Sequence, residues 1–318
     1  MGLRSLGRLA LHGALLLLVV SGASARATAK QSSSRGISGA EVLRLTQEYV
    51  KVAPKRYVGA PGHAAAESFI KSHFQPEAAK SNFITDEFYA RTPVGTITMR
   101  NFIAKYPGKK DGVIVLASHY ETNYWLKDVD YVGANDGACT TALLIAIGQY
   151  LREHPPQGYS VWLLFDDGEE SISEQWSDAD SLYGVRHIAA KWSADGTLGK
   201  IKAFVVADMI GWKDMNIDRE GNSTPWLLDL LAQAGKDTGH SNYLFKHSGP
   251  IDDDHVPFKQ RGVPVLDVIA YEYGPYDDRR GDYAYHHTPQ DSMDKLSAQS
   301  LQVSADLFVD LLRLIDQH

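Results

Sequence analysis

Four short apolar runs, each leading into polar side chains, constrain this chain more than any other feature. They are Gly112–Ser118, Tyr159–Phe165, Ile201–Ala207 and Val263–Ile269. Runs this short and this apolar suit strands buried on both faces. Helical segments separate or follow them: Ala138–Leu151, Leu182–Trp192, Thr224–Thr238 and a closing helix at Ala298–Ile315. Strands alternating with helices predict an α/β domain with a mostly parallel central sheet and helices on both faces. Phe83–Ala90 and Thr96–Tyr106 follow one another so closely that an antiparallel edge is expected, which makes the sheet mixed. Ahead of them Gly39–Val52 predicts an amphipathic helix with Ser38 as N-cap. Gly59-Ala60-Pro61-Gly62 then predicts a chain reversal, with a second helix from His63 to Phe74.

Core-forming residues are spread along the chain, so residues 39–318 are expected to form one domain rather than two. The N-terminus stands apart. Arg4 and Arg8 precede an apolar run from Leu9 to Val20, and Ala23-Ser24-Ala25 offers small residues for cleavage. That order predicts a secretory signal peptide over residues 1–25 and a flexible leader over 26–38, hence a secreted or periplasmic protein. The run is too short for a comfortable bilayer span, so no stable membrane anchor is expected; an uncleaved anchor is the alternative. A formal charge of −7 with no Lys/Arg stripe argues against a nucleic-acid partner. The single cysteine, Cys139, rules out an internal disulfide framework. It lies in a small-residue run and reads as a buried helix residue rather than a nucleophile.

The polar groups after the strands carry the chemistry. Gly112–Ser118 leads into His119, Tyr159–Phe165 into Asp166-Asp167-Gly168-Glu169-Glu170, and Ile201–Ala207 into Asp208. Val263–Ile269 leads through a long loop to His286-His287, and Asp136 precedes a helix within Gly133-Ala134-Asn135-Asp136-Gly137. Ligands of open α/β sheets bind beyond the carboxyl ends of the strands, where all these groups could converge. Histidine and carboxylate without thiolate suit a catalytic rather than a structural zinc. A lone strand-end Asp is more often a helix cap, and a lone His a surface or core residue; the weight lies in the set and its order.

The set His119, Asp136, Glu169-Glu170, Asp208 and His287-Thr288 resembles the zinc aminopeptidase superfamily, and more closely its glutaminyl-peptide cyclotransferase branch. The likeness runs from Tyr57 to the C-terminus. Tyr57-Val58-Gly59-Ala60-Pro61-Gly62 and Asp167-Gly168-Glu169-Glu170 carry part of it. Asp180-Ser181-Leu182-Tyr183-Gly184 and Asp253-Asp254-His255-Val256-Pro257-Phe258 lean toward the cyclotransferases. The resemblance implies a zinc-aminopeptidase-like fold and one zinc ion on Asp136, Glu170 and His287. It also implies Glu169 as proton shuttle, Asp208 and Asp253 as hydrogen-bonding partners near the reacting amide, and Trp176 as a wall of the substrate pocket. Five features depart from the pattern. The loop between Glu170 and Trp176 is about one residue longer. His286 stands where the family has an aromatic pocket residue. Asp267 stands where animal members carry histidine, and the stretch from Tyr271 to Tyr285 is longer and more charged. The disulfide of animal members cannot form.

The implied reaction converts the N-terminal glutamine of a peptide or protein to pyroglutamate with release of ammonia. The alternative is an aminopeptidase with two co-catalytic zinc ions, in which Asp136 bridges and His119 and Asp208 complete a second site. A non-catalytic binding module on the same fold would have lost ligands or base, and here the set is complete. A serine hydrolase is disfavoured because no G-x-S-x-G elbow is present.

Overall fold

The computed structural model describes residues 36–318. The expected signal peptide and most of the leader lie outside the described residues. The four buried runs become parallel neighbours: β3 (Val113–His119), β4 (Ser160–Asp166), β5 (Ile201–Asp208) and β8 (Val265–Ile269). Preceding them, β1 (Phe83–Thr92) and β2 (Gly95–Tyr106) form the expected antiparallel hairpin. β2 then pairs antiparallel with β4, so the sheet order is β1-β2-β4-β3-β5-β8. This is the mixed sheet read from the sequence, and β3, β4 and β5 each end one residue later than expected. His119, Asp166 and Asp208 are the last residues of β3, β4 and β5, held in the ladder rather than in the loops beyond.

Every residue of β3 is buried, and alternate side chains serve opposite faces. Ile114 and Leu116 join the larger core; Val113, Val115 and Ala117 join the core on the other side. The larger core packs under α1 (Gly39–Val52), α2 (Pro61–His73), α4 (Cys139–Glu153), α6 (Pro225–Thr238) and α8 (Ala298–Gln317), with a one-turn α3 at Gln75–Ala78. The smaller core packs under α5 (Tyr183–Ala194) and the one-turn α7 (Val256–Lys259). Cys139 opens α4 fully buried, as expected. Ser38 occupies the N-cap position of α1, but its side chain makes no capping bond. The Gly39 amide donates instead to the Gln302 side chain at 2.9 Å, which ties α1 to α8.

Two short strands escape a sequence reading. β6 (Ile217–Glu220) and β7 (Leu244–Gly249) pair in parallel as a separate two-stranded sheet. Their polar composition gives no strand pattern, and only tertiary packing makes them extended. A small hairpin, β9 (Tyr276–Asp277) and β10 (Asp282–Tyr283), orders part of the long charged stretch. Among the described residues no helix is long and apolar enough to cross a membrane.

Candidate active site

A cleft of about 520 Å³ opens at the carboxyl ends of the strands, and Asp136, Glu169, Glu170, Asp208, Asp253 and His287 all line it. His287 sits at the meeting point. Its Nε2 lies 3.1 Å from Glu170 Oε1 and 3.3 Å from Asp136 Oδ2. Asn123 Nδ2 donates to Glu170 Oε2, which leaves Glu170 Oε1 buried with no hydrogen-bond partner. Donors around a tetrahedral zinc at ~2.0–2.1 Å lie about 3.3 Å from one another. The His287 imidazole stands at that spacing from each of the two carboxylates, and with an orphaned Glu170 oxygen beside it the donor types fit a zinc ion.

The backbone around each donor is built for the task. Asp136 occupies a kink between Gly133 and Gly137, both at positive φ. A Cβ on Gly137 would stand 2.8 Å from the His119 ring, so glycine is needed there for space as well as for φ. Asp291 accepts from the Asn135 and Asp136 amides at 2.8 and 3.1 Å, and Tyr131 donates to Asp136 Oδ2 at 2.8 Å. His287 is held at φ 50°, an uncommon conformation for a non-glycine residue. Trp125 meets its ring edge-on with centroids 6.0 Å apart.

Arg56 anchors the segment that presents Asp136. Fully buried, it donates to the carbonyls of Tyr120, Gly133 and Asp136 at 2.9, 2.7 and 3.1 Å, and also to that of Val132. Arg56→Met should cost about 3 kcal/mol or more, since hydrogen bonds to a charged group contribute most and orphaned carbonyls add a penalty. The urea midpoint measures this; a shift no larger than that of an exposed Lys→Met control would show that solvent or repacking replaces the guanidinium.

Glu169 and Glu170 point apart. Glu170 joins His287, whereas Glu169 brings a carboxylate oxygen to within 4.8 Å of donors on His119 and Glu121. The turn carrying them is pinned from three directions. Asp167 accepts from His63 Nε2 at 2.8 Å and from the Arg100 amide at 2.7 Å. The Leu182 and Tyr183 amides donate to Glu169 and Gly168 at 2.8 and 2.7 Å. A Cβ on Gly184 would approach the Asp167 carbonyl oxygen to 2.6 Å, so α5 can press against the turn only with glycine there. The Leu-Tyr-Gly of the sequence motif is thus a support for the glutamate pair.

Charge in the cleft is tuned by burial. Burial, and then neighbouring Glu170, push the Glu169 carboxyl well above the usual range. Burial raises Glu170 to about 7 against the pull of His287. Burial also raises Asp136, but hydrogen bonds from His119 and His287 outweigh it and hold the carboxyl well below its ordinary value. Asp253 is raised to about 6 by burial and by Asp208.

His119 lies behind the cleft, with Nε2 3.1 Å from Asp136 Oδ1 and 3.5 Å from Asp208 Oδ1. The donors expected for a second ion are therefore together as well. Trp176 is half-buried in the cleft wall. His286 does more than form a wall: its ring packs at a tilt against His287 with centroids 3.8 Å apart, its Nδ1 pairs with Asp282 at 2.8 Å, and one of its nitrogens lies within 4.8 Å of donors on Asp136 and His287. Behind Asp253 is a cluster that sequence reasoning missed. Asp267 and His255 are fully buried, with His255 Nδ1 3.7 Å from Asp267 and Nε2 3.4 Å from Glu220. Burial, and then the neighbouring carboxylates of Asp253 and Asp208, push the Asp267 carboxyl well above its ordinary range.

The model of peptidase family M28 matches residues 101–312. A glutaminyl-peptide cyclotransferase of the snake Boiga irregularis is 31% identical over 249 residues, covering 68% of this chain and 67% of that one. One from Drosophila melanogaster is 28% identical over 275 residues, covering 79% and 74%. The crystal structure of an Acidobacteriales bacterium glutaminyl cyclase superposes with a TM-score of 0.87 at 63% identity, covering 90% of this chain and 97% of that one. With the donor cluster and the glutamate pair on such a sheet, the chain belongs to peptidase family M28 and, within it, to the glutaminyl-peptide cyclotransferases.

Proposed function

We infer that the cleft converts N-terminal glutamine of peptides to pyroglutamate, with Glu169 as proton shuttle and one zinc ion on Asp136, Glu170 and His287. The observation that carries the roles is the division of labour between adjacent glutamates: Glu170 joins a donor cluster with zinc-like spacing, and Glu169 faces the cleft with a raised affinity for protons. Zinc bound there supplies Lewis acidity toward the glutamine γ-carbonyl oxygen.

The chain's own residues do the rest. Glu169 accepts a proton from the substrate α-amine as the amine attacks the γ-carbonyl carbon, and returns a proton to the departing ammonia as the amide C–N bond breaks. A raised carboxyl pKa suits both halves of that transfer near neutrality. Asp253 and Asp208 line the cleft to orient the reacting amide and amine by hydrogen bonds. Trp176 and His286 flank the glutamine side chain and limit water, which the reaction does not consume.

The preassembled His119–Asp136–Asp208 set is the observation that keeps the two-metal aminopeptidase reading in play. Incubating the zinc-loaded protein with a Gln-initiated and a Leu-initiated peptide separates the two. Cyclisation predicts ammonia from the first and no free amino acid from the second. Free leucine without ammonia would hand the site to peptide hydrolysis.

A further inference from the structure

The cleft is larger than a glutaminyl residue needs, and the surplus lies on one side. From His287 the wall runs through His286 (ring centroids 3.8 Å apart) to Tyr271 (5.2 Å further) and then to Tyr283 (5.9 Å further). Beyond the reacting groups the lining carries the carboxylates of Glu174, Asp218, Asp252 and Glu272, and no lysine or arginine. Apart from His286 and His287, His247 is the one basic side chain in the lining among the described residues, and it is already paired with Glu272 at 2.9 Å.

Asp218 separates this wall from an ordinary solvated acidic surface. It is only 4% exposed, at the centre of β6. One of its oxygens accepts from the Tyr271 amide at 3.0 Å, while Oδ1 has no partner among the described residues. A buried carboxylate oxygen without a partner is rare and costly, and calls for a donor from outside the chain. Aromatic faces beside carboxylates favour a cation further, because the ring quadrupole attracts it. Tyr271 and Tyr283 supply those faces, their rings meeting edge to face with centroids 5.9 Å apart. Three of these residues, Tyr271, Glu272 and Tyr283, come from the long charged stretch that departs from the family pattern.

Resting on the cyclase reading, we propose that this wall is a second subsite, formed by Asp218, Glu272, Tyr271 and Tyr283, that takes a lysine or arginine just downstream of the N-terminal glutamine. The preferred substrates are then basic at the residue after glutamine. Acidic residues there meet like charge in a confined cleft, where repulsion is weakly screened.

The test measures kcat/KM for ammonia release by the zinc-loaded protein on three peptides, Gln-Arg-Ala-Ala, Gln-Ala-Ala-Ala and Gln-Glu-Ala-Ala. The arginine peptide should exceed the glutamate peptide by roughly tenfold or more, with the alanine peptide between them. In Asp218→Asn the arginine-to-glutamate ratio should shrink several-fold. Glu272→Gln, at a half-exposed position that tolerates substitution, should shrink it too and guards against misfolding of the first variant. Equal kcat/KM on all three peptides would overturn the subsite and leave the cyclase reading intact. An undiminished ratio in both variants would equally overturn it, since the preference would then arise elsewhere. Absence of ammonia from every peptide is a different failure: it removes the cyclase reading, and the subsite with it.

Discussion

Glu169→Gln is expected to lower kcat on Gln-initiated peptides by about 10²- to 10⁴-fold, the range that a positioned general acid–base contributes, while zinc stays bound. Glutamine keeps the volume and length of the side chain, so the cleft keeps its shape. What it loses is a site that can accept a proton from the α-amine and return it to ammonia. Zinc content should be preserved because Asp136, Glu170 and His287 are untouched. Stability should hold or rise, since burial and Glu170 already strain the carboxyl that is removed. Two measurements decide the role: the rate at saturating substrate and the zinc content of the purified variant. Activity within about tenfold of wild type, a loss too small for an acid–base group, would take Glu169 out of the proton transfer. Loss of zinc together with activity would make it a ligand instead, a reading with some footing because Glu169 also approaches donors on His119 and Glu121.

The parts of this molecule that were legible in sequence share a physical property: they repeat a pattern that local chemistry enforces. The apolar runs of β3, β4, β5 and β8 had to be buried strands, and the amphipathic α1 and α8 had to cover them. Asp136, Glu170 and His287 were found because strand ends and a family motif mark their places, and the structure brings them around one point. What stayed hidden depends on position in space. Asp252, Asp253 and Asp254 look alike in sequence, yet the first is exposed and the other two are buried. Asp254 is pushed well above the carboxylate range by burial and by the charge of neighbouring Asp166, itself raised by burial to about 8. Nothing in a run of three aspartates says which of them turns inward. Arg56 reads as an ordinary surface cation, yet it is buried among carbonyl oxygens and holds the Asp136 kink. Asn123 and Tyr131 on one loop and Asp291 far along the chain support the donors by isolated hydrogen bonds, which leave no periodic trace. Asp267 was visible as a departure from the animal pattern, but its full burial, which raises its carboxyl, is a consequence of depth in the fold.

His287→Ala should strip the catalytic ion and abolish activity, whereas His119→Ala should leave one zinc in place. His287 is the residue whose single Nε2 approaches both Asp136 and Glu170, so its removal opens the cluster on two sides at once. Outer-sphere substitutions at metal sites cost about 10- to 100-fold in affinity, and loss of an inner donor should exceed that. Alanine keeps the Cβ and adds no new clash at φ 50°, and the thermal midpoint of the variant separates loss of the ion from a change of fold. His119 touches Asp136 through the other carboxylate oxygen, Oδ1, and its neighbour there is Asp208 rather than Glu170. Deleting it therefore spares the three donors of the single-zinc site and removes one donor of the second. Zinc per chain after dialysis, read beside ammonia release, distinguishes the arrangements. One zinc in wild type and in His119→Ala, and almost none in His287→Ala, is the pattern of the cyclase. Two in wild type falling to one in His119→Ala, with activity lost at that step, would mean that Asp136 bridges a pair of ions and that the chemistry needs both. A wild-type stoichiometry of zinc in His287→Ala would remove His287 from the metal altogether, and with it the geometry that sets Glu169 against the substrate amine.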